Sequence, residues 1–342
     1  MGDKSKIEWT EATWNPVRGC RRKSEGCRNC YAERQAIRIA GYKGIVESSS
    51  NGPRWTGEVA MAPRHILEAP LRWSKPRMVF VNSMSDLFYG RPFEEICAVF
   101  GIMMASPQHT FQVLTKYPER MLEWFAWLDK ESKEGSTAKL FPMDPPGWRQ
   151  RHLLCAAAHN LLGYRPLKGR ALGNEWPLPN VWLGVSVEDQ AAADERIPLL
   201  LQCPAAVRWV SAEPLLGPVD LARWLPRRLE CPECQHVGGS YGARVRYCGV
   251  CAGDCGRDVL VTELPALNWI VVGGESGPGA RPMEPAWARS LRDQCQDAGA
   301  TFFFKQWGAH NAEGQRVGKK ASGRELDGVL WDQFPFRAKG GV

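Results

Sequence analysis

The sequence predicts an α/β protein: a full or partial (β/α) barrel of the TIM type with a zinc ribbon set into it. Three observations predict this. Short β-branched and aromatic runs recur along the 342 residues, and most end in polar or acidic residues. Helical stretches separate several of them, and continuous apolar strands alternating with helices indicate a parallel sheet covered on its outer face. The units number about seven, more than a small doubly wound sheet uses.

Taken in order, the first unit leads from "ATWNPVRG" into a cysteine loop, with "NCYAERQAIRIAG" (29–41) as its helix. "RMVFVNSMSDLF" (77–88) is a strand that turns at Ser83, Ser85 and Asp86, and "PFEEICAVFGIMMAS" (92–106) is the helix after it. "TFQVLTKYPERM" (110–121) ends its strand at Thr115 and Lys116. "VWLGVSVED" (181–189) ends at Ser186, Glu188 and Asp189, ahead of the helical "DQAAADERIPLLLQ" (189–202). "VRWVSAEPLLGP" (207–218) ends at Ser211 and Glu213. "LNWIVVGGESGPGARPM" (267–283) ends at Gly273, Gly274 and Glu275, with "EPAWARSLRDQCQDAG" (284–299) as its helix. "TFFFKQWG" (301–308) ends at Lys305 and Gln306. In a β/α barrel the C-terminal strand ends build the active site. That rim would gather Asp86, Lys116, Glu188, Glu213, Glu275 and Lys305.

Two insertions interrupt a single domain spanning 1–342. Residues 124–180 are rich in Trp, Pro and basic residues and read as helical or irregular; residues 226–262 carry a cysteine group. The polar tail, with a few aromatic anchors, is expected to pack along the surface.

Composition narrows the class. Hydrophobic content of 44% and charged content of 24% are those of a soluble globular protein. No apolar run is long enough to span a membrane, and the first residues lack the apolar core of a secretory signal. A cytoplasmic protein with reduced thiols and no membrane partner is expected. The net charge of +7 is a mild bias compatible with nucleic acid, and residues 1–43 concentrate it, with ten Lys or Arg against five Asp or Glu. A solvated basic loop and a surface that attracts an anionic substrate both fit that excess.

The twelve cysteines fall into three groups. Cys97, Cys155, Cys203 and Cys295 sit in apolar or helical segments and read as small buried hydrophobes. Cys231, Cys234, Cys248 and Cys251 form two C-x2-C pairs separated by thirteen residues, the spacing of a tetrahedral structural zinc site. Cys255 is an alternative to Cys251. Cys20, Cys27 and Cys30 follow C-x6-C-x2-C between the first strand and the first helix, with no fourth cysteine or close histidine. Three thiolates suit a [4Fe–4S] cluster with one iron open to an exogenous ligand. S-adenosyl-L-methionine is a ligand of that kind, and one-electron cleavage of its sulfonium yields a 5′-deoxyadenosyl radical. A three-cysteine zinc site with a distant fourth ligand, or plain reduced thiols, are the alternatives.

Placed on the first βα loop of a barrel, this trio resembles the radical S-adenosylmethionine superfamily, although the commonest motif there is C-x3-C-x2-C. The blocks "IEWTEATWNPVRGC", "GCRNCYAER", "VFVNSMSDLF", "VWLGVSVED", "RWVSAEPLLG", "IVVGGESGPGARPM", "FFFKQWG" and "GKKASGRELDG" are similar to those of a phage and bacterial family of uncharacterised three-cysteine proteins, covering residue 7 to about 335. That family has been grouped with radical S-adenosylmethionine barrels, with spore photoproduct lyase, a DNA-repair enzyme, as a distant relative. The resemblance implies Cys20, Cys27 and Cys30 as cluster ligands, followed directly by Tyr31 at the cofactor. It implies Ser83 and Asp86 for the methionine amino group, and Ser186 and Glu188 for the ribose hydroxyls. Lys116, Glu213, Gly273, Gly274 and Glu275 would line the rest of the pocket, with Lys305 closing the rim against substrate.

Three functions compete. The first is a radical enzyme that repairs or modifies DNA or another nucleic acid and takes its electron from a donor protein. The basic N-terminus, Arg149, Arg151, His152, Arg165, Lys168 and Arg170 in the insertion, and 15 tryptophans support it. The second keeps the chemistry but acts on a peptide or small molecule. The third is a non-catalytic zinc protein that binds nucleic acid.

Overall fold

The computed structural model describes residues 5–134, 147–163, 175–226, 229–230, 237–238 and 265–335. Its centre is a seven-stranded parallel sheet, curled into a half-barrel, whose strands lie side by side in chain order. They are β1 (Ala12–Trp14), β2 (Met78–Val81), β3 (Thr110–Thr115), β4 (Val181–Ser186), β5 (Val207–Ala212), β6 (Trp269–Gly273) and β7 (Thr301–Gln306). Every residue of β2, β4 and β6 is buried, as strands covered on both faces require. The barrel is therefore partial, with β1 and β7 at its two edges.

The helices are α1 (Tyr31–Ala36), α2 (Phe93–Met104), α3 (Pro118–Glu134), α4 (Trp148–Leu162), α5 (Gln190–Gln202) and α6 (Pro285–Ala298). Local chemistry sets their ends. The Asp189 carboxylate accepts the Ala192 N–H at 2.9 Å to cap α5, and Gly299 takes the left-handed conformation that ends α6. The first helix is shorter than the sequence suggests. It stops at Ala36, Ile39 is extended, and a single 3-10 turn follows at Ala40–Tyr42. Two β-branched residues, Ile37 and Ile39, followed by Gly41 disfavour its continuation.

The stretch 124–180 begins inside α3 and contains α4, whose Leu154, Ala158 and Leu162 join the main core with Phe100 and Ile96 of α2. Of 227–262, only the two-residue strands Leu229–Glu230 and Val237–Gly238 are described, paired antiparallel. Cys231, Cys234, Cys248, Cys251 and Cys255 lie outside the described residues.

Strand alternation divides the side chains between two cores. Val79, Val113, Leu183, Val210, Ile270 and Phe302 face the helices, whereas Phe80, Trp182, Trp209, Trp269 and Phe303 fill the concave face with Trp9. Gly184 makes room there, since a Cβ on it would meet the Trp209 ring at 2.5 Å. Trp9 packs at 5.2 Å from Trp209 and 6.2 Å from Trp269, so the chain ahead of β1 fills the open side. The tail covers the other edge. The Phe304 N–H donates to the Trp331 carbonyl at 2.8 Å, and the Phe334 ring lies 5.4 Å from Trp269. Below this aromatic packing lie the C-terminal strand ends, the mouth of the half-barrel, which carry Asp86, Glu188, Glu213 and Glu275. No helix among the described residues is long and apolar enough to cross a membrane.

Candidate functional site

Cys20, Cys27 and Cys30 are free thiols on the loop that leaves β1 and enters α1, with Cys30 as the residue ahead of that helix. All three are part-buried. Burial raises the Cys20 pKa well above the ordinary thiol value, and Asp86, Cys30 and Cys27 push it further. Burial also raises Cys30, against the backbone N–H groups of Glu33 and Ala32. Cys20 thus feels the charge of Asp86 as well as that of the other two thiols. As positioned, no group of three or more His, Cys, Asp or Glu among the described residues is arranged to hold a metal ion. Three cysteines on one short loop are, once deprotonated, a sulfur donor set of the kind that iron–sulfur clusters and zinc take.

The loop folds across the mouth and is tied to strand ends on both sides. Tyr31 donates its hydroxyl to the Ser83 carbonyl beyond β2, and Ser83 Oγ pairs with Asn15. Tyr117, beyond β3, donates to the Arg21 carbonyl at 3.1 Å, and Lys23 lies over its ring while pairing with Glu119 at 2.6 Å. Gly26 comes so close that a Cβ would stand 3.2 Å from the Glu188 carboxyl carbon and 3.3 Å from Lys116 Nζ. Beyond β6, Asn29 donates to Glu275 at 3.1 Å and to the Gly279 carbonyl at 2.7 Å. Arg281 spans Glu275 and the Glu25 carbonyl.

The strand-end groups differ in how fully they are paired. Asp86 is buried and accepts from Thr115 Oγ1 at 2.7 Å, Phe88 N at 3.0 Å and Lys116 N at 2.9 Å. Burial raises its pKa against those donors. Glu188 receives Arg196 on both oxygens, at 2.9 and 3.2 Å, and Lys116 at 3.3 Å. Burial pushes its carboxyl up, but Lys116, Arg196 and the Ser24 hydroxyl outweigh this and bring it down to about 2. Glu275 is likewise lowered, by Arg281 and Asn29 against burial. Glu213 takes Lys305 Nζ at 3.1 Å and Ser211 Oγ at 3.3 Å, both on Oε2. Its Oε1 is buried with no hydrogen-bond partner. Burial, with Cys30 and Glu213 nearby, raises the Tyr31 hydroxyl, which relates that carboxylate to the thiol loop.

Residues 4–335 match the family described as "Protein of unknown function (DUF5131)". The chain belongs to that family. No curated protein and no solved structure matches it. The match spans the thiol loop and all seven strands, so mouth and half-barrel fall within one family unit.

For this family member, the mouth brings together the thiol trio, Tyr31, Ser83, Asp86, Lys116, Glu188, Glu213, Gly273, Glu275 and Lys305. Gly274 lies just beyond, where a Cβ would strike the Trp307 carbonyl at 1.9 Å. Ser186 offers its carbonyl to Arg196 at 2.8 Å. Several groups cited from the sequence for nucleic-acid contact have structural work instead. Arg151 is buried and donates to the Glu175 carbonyl at 2.7 Å. Trp9, Trp14, Trp124, Trp182, Trp209, Trp224, Trp269 and Trp307 are buried and pack the cores. Arg165, Lys168 and Arg170 lie outside the described residues. Sequence reasoning missed Arg196, Ser24 and Asn29. Arg196 had a signal: it occupies the apolar stripe of α5 with Ala192, Ala193, Ile197 and Leu200, where an arginine needs a buried carboxylate. Ser24 and Asn29 had none.

Proposed function

We propose that this chain is a radical S-adenosylmethionine enzyme that acts on nucleic acid, by repair or modification of a base. The observation that carries the reading is the placement of three free thiols on the β1–α1 loop, folded over the C-terminal mouth of a parallel half-barrel. Cys20, Cys27 and Cys30 would hold a [4Fe–4S] cluster. With S-adenosylmethionine bound, the cluster would supply the electron that cleaves the sulfonium and leaves a 5′-deoxyadenosyl radical.

The chain's own groups position the thiol loop. Glu188, neutralised by Arg196 and Lys116, lies directly against Gly26 of that loop and seats it at the end of β4. Glu275, Arg281 and Asn29 hold it against the β6 loop. Arg21, Arg38 and Lys43 stand exposed on the segment that bears the thiols, which supports an anionic partner approaching from that side. A zinc held by Cys231, Cys234, Cys248 and Cys251 remains part of the proposal, as do a protein electron donor and the cytoplasm as the compartment.

The test is cofactor cleavage. Reconstituted with iron and sulfide under argon and reduced with dithionite, the wild type should convert S-adenosylmethionine to 5′-deoxyadenosine and methionine. A Cys27→Ala/Cys30→Ala variant should not. Iron-loaded wild type that forms no 5′-deoxyadenosine would overturn the reading.

A further inference from the structure

At the mouth, β5 and β7 place a carboxylate and an ammonium side by side across the intervening strand. Two local devices make this possible. The β6–β7 register slips at Lys305: Val272 pairs with Phe304, but Gly273 pairs with Gln306, so Lys305 is the extra residue of a bulge. Bulges re-aim side chains and recur beside active sites. On β6, Gly273 leaves the lane open, since a Cβ there would lie 2.6 Å from Glu213 Oε1. Lys305 therefore reaches Glu213 at 3.1 Å, with their side chains only 16% and 14% exposed.

Neither group is saturated. Among the described residues, the Lys305 ammonium has Glu213 as its one hydrogen-bond partner and so retains donors. Glu213 Oε1 is buried and bonded to nothing. A buried carboxylate oxygen without a donor is costly, so a turn of the carboxylate away from Gly273 to meet an incoming N–H is favoured. The pair is electrically balanced, so it favours neither a phosphate nor a lone carboxylate. It offers one donor and one acceptor side by side, and its complement is a neutral, planar edge with an N–H beside a carbonyl or ring-nitrogen acceptor. Nucleobases present such edges.

We infer that Glu213 and Lys305 bind one edge of a nucleobase, Glu213 Oε1 accepting its N–H and Lys305 donating to the neighbouring acceptor. This rests on the nucleic-acid reading above and adds which part of the nucleotide the mouth grips. The base would have to leave its stack to enter, as in other enzymes that work on bases.

The test titrates the full iron-free chain with the four deoxynucleosides, followed by saturation-transfer NMR. At least one should bind saturably, and its analogue with the N–H blocked by methylation should not. Glu213→Gln and Lys305→Met should each weaken binding about tenfold, with thermal midpoints in the absence of nucleoside lowered by no more than a few degrees. A wild type that binds none of the four overturns the inference, as does binding that both variants retain. Because the titration needs no iron, it stands or falls separately from the cluster. Binding by the Cys27→Ala/Cys30→Ala variant would support the base contact even if the thiols held no iron.

Discussion

Two glutamates at neighbouring strand ends have opposite fates. Glu188, past β4, is almost fully buried and both its oxygens are occupied, by a bidentate arginine and a lysine. Glu213, past β5, has one oxygen shared by Lys305 and Ser211 and the other buried and empty. A saturated carboxylate can only hold its surroundings in place, whereas an unsaturated one has capacity left for a ligand. The mouth therefore divides into a clamp that fixes the thiol loop and a pair that faces what enters. This division is what the following predictions try to break.

The largest effect should come from the clamp. Arg196→Met strands a buried charge at Glu188 and should cost about 3–5 kcal/mol in denaturant unfolding. Lys305→Met, at the other glutamate, should cost less, about 1–2 kcal/mol, because Glu213 keeps some exposure and the Ser211 hydroxyl. Equal losses at the two sites would erase the distinction.

Acid should test the clamp next. The folded-state pKa of Glu188 is about 2, below the ordinary 4.5. A depressed carboxylate contributes stability that is fully present above the unfolded value and is lost as pH falls through the folded one. The loss should run from about pH 4.5 down to about 2 and amount to on the order of 3 kcal/mol. Glu188→Gln should be less stable than wild type at neutral pH and converge on it as pH falls. A Glu188→Gln deficit that persists unchanged at low pH would contradict the clamp.

A smaller effect sharpens the second half of the comparison. Gly273→Ala sets a Cβ against Glu213 Oε1. It should change stability by about 1 kcal/mol or less, since the carboxylate can swing aside, while abolishing nucleoside binding. Smallest of all, Lys23→Ala loses a partly exposed pair with Glu119. It should cost about 0.2–1 kcal/mol, and less at high salt.

Much of this was legible in the sequence because the signals were local. Runs such as "VWLGVS" and "WIVVG" are apolar on both faces, which only a covered parallel strand requires, and each became a strand. The polar residues after them marked Asp86, Glu188, Glu213 and Lys305 because a parallel barrel gathers its strand ends at one rim. What could not be read was pairing. Nothing in "SAEP" says that Glu213 will be half-satisfied, because that depends on a register slip at Lys305 and an absent side chain at Gly273. The first helix was read too long because its apolar spacing continued through Ile37, although those isoleucines are exposed. The tryptophans were ambiguous for a related reason. The same residue packs a core or stacks on a base, and only burial distinguishes the two.

The central claim is that the three thiols are metal ligands at the mouth, and metal content tests it most directly. Iron, acid-labile sulfide and zinc should be measured on anaerobically purified and reconstituted chain, wild type beside Cys27→Ala/Cys30→Ala. The account predicts about four irons with matching sulfide per wild-type chain, lost in the variant, and about one zinc retained in both. Reconstituted wild type that holds zinc and no iron would contradict it and make the thiol loop a structural knuckle.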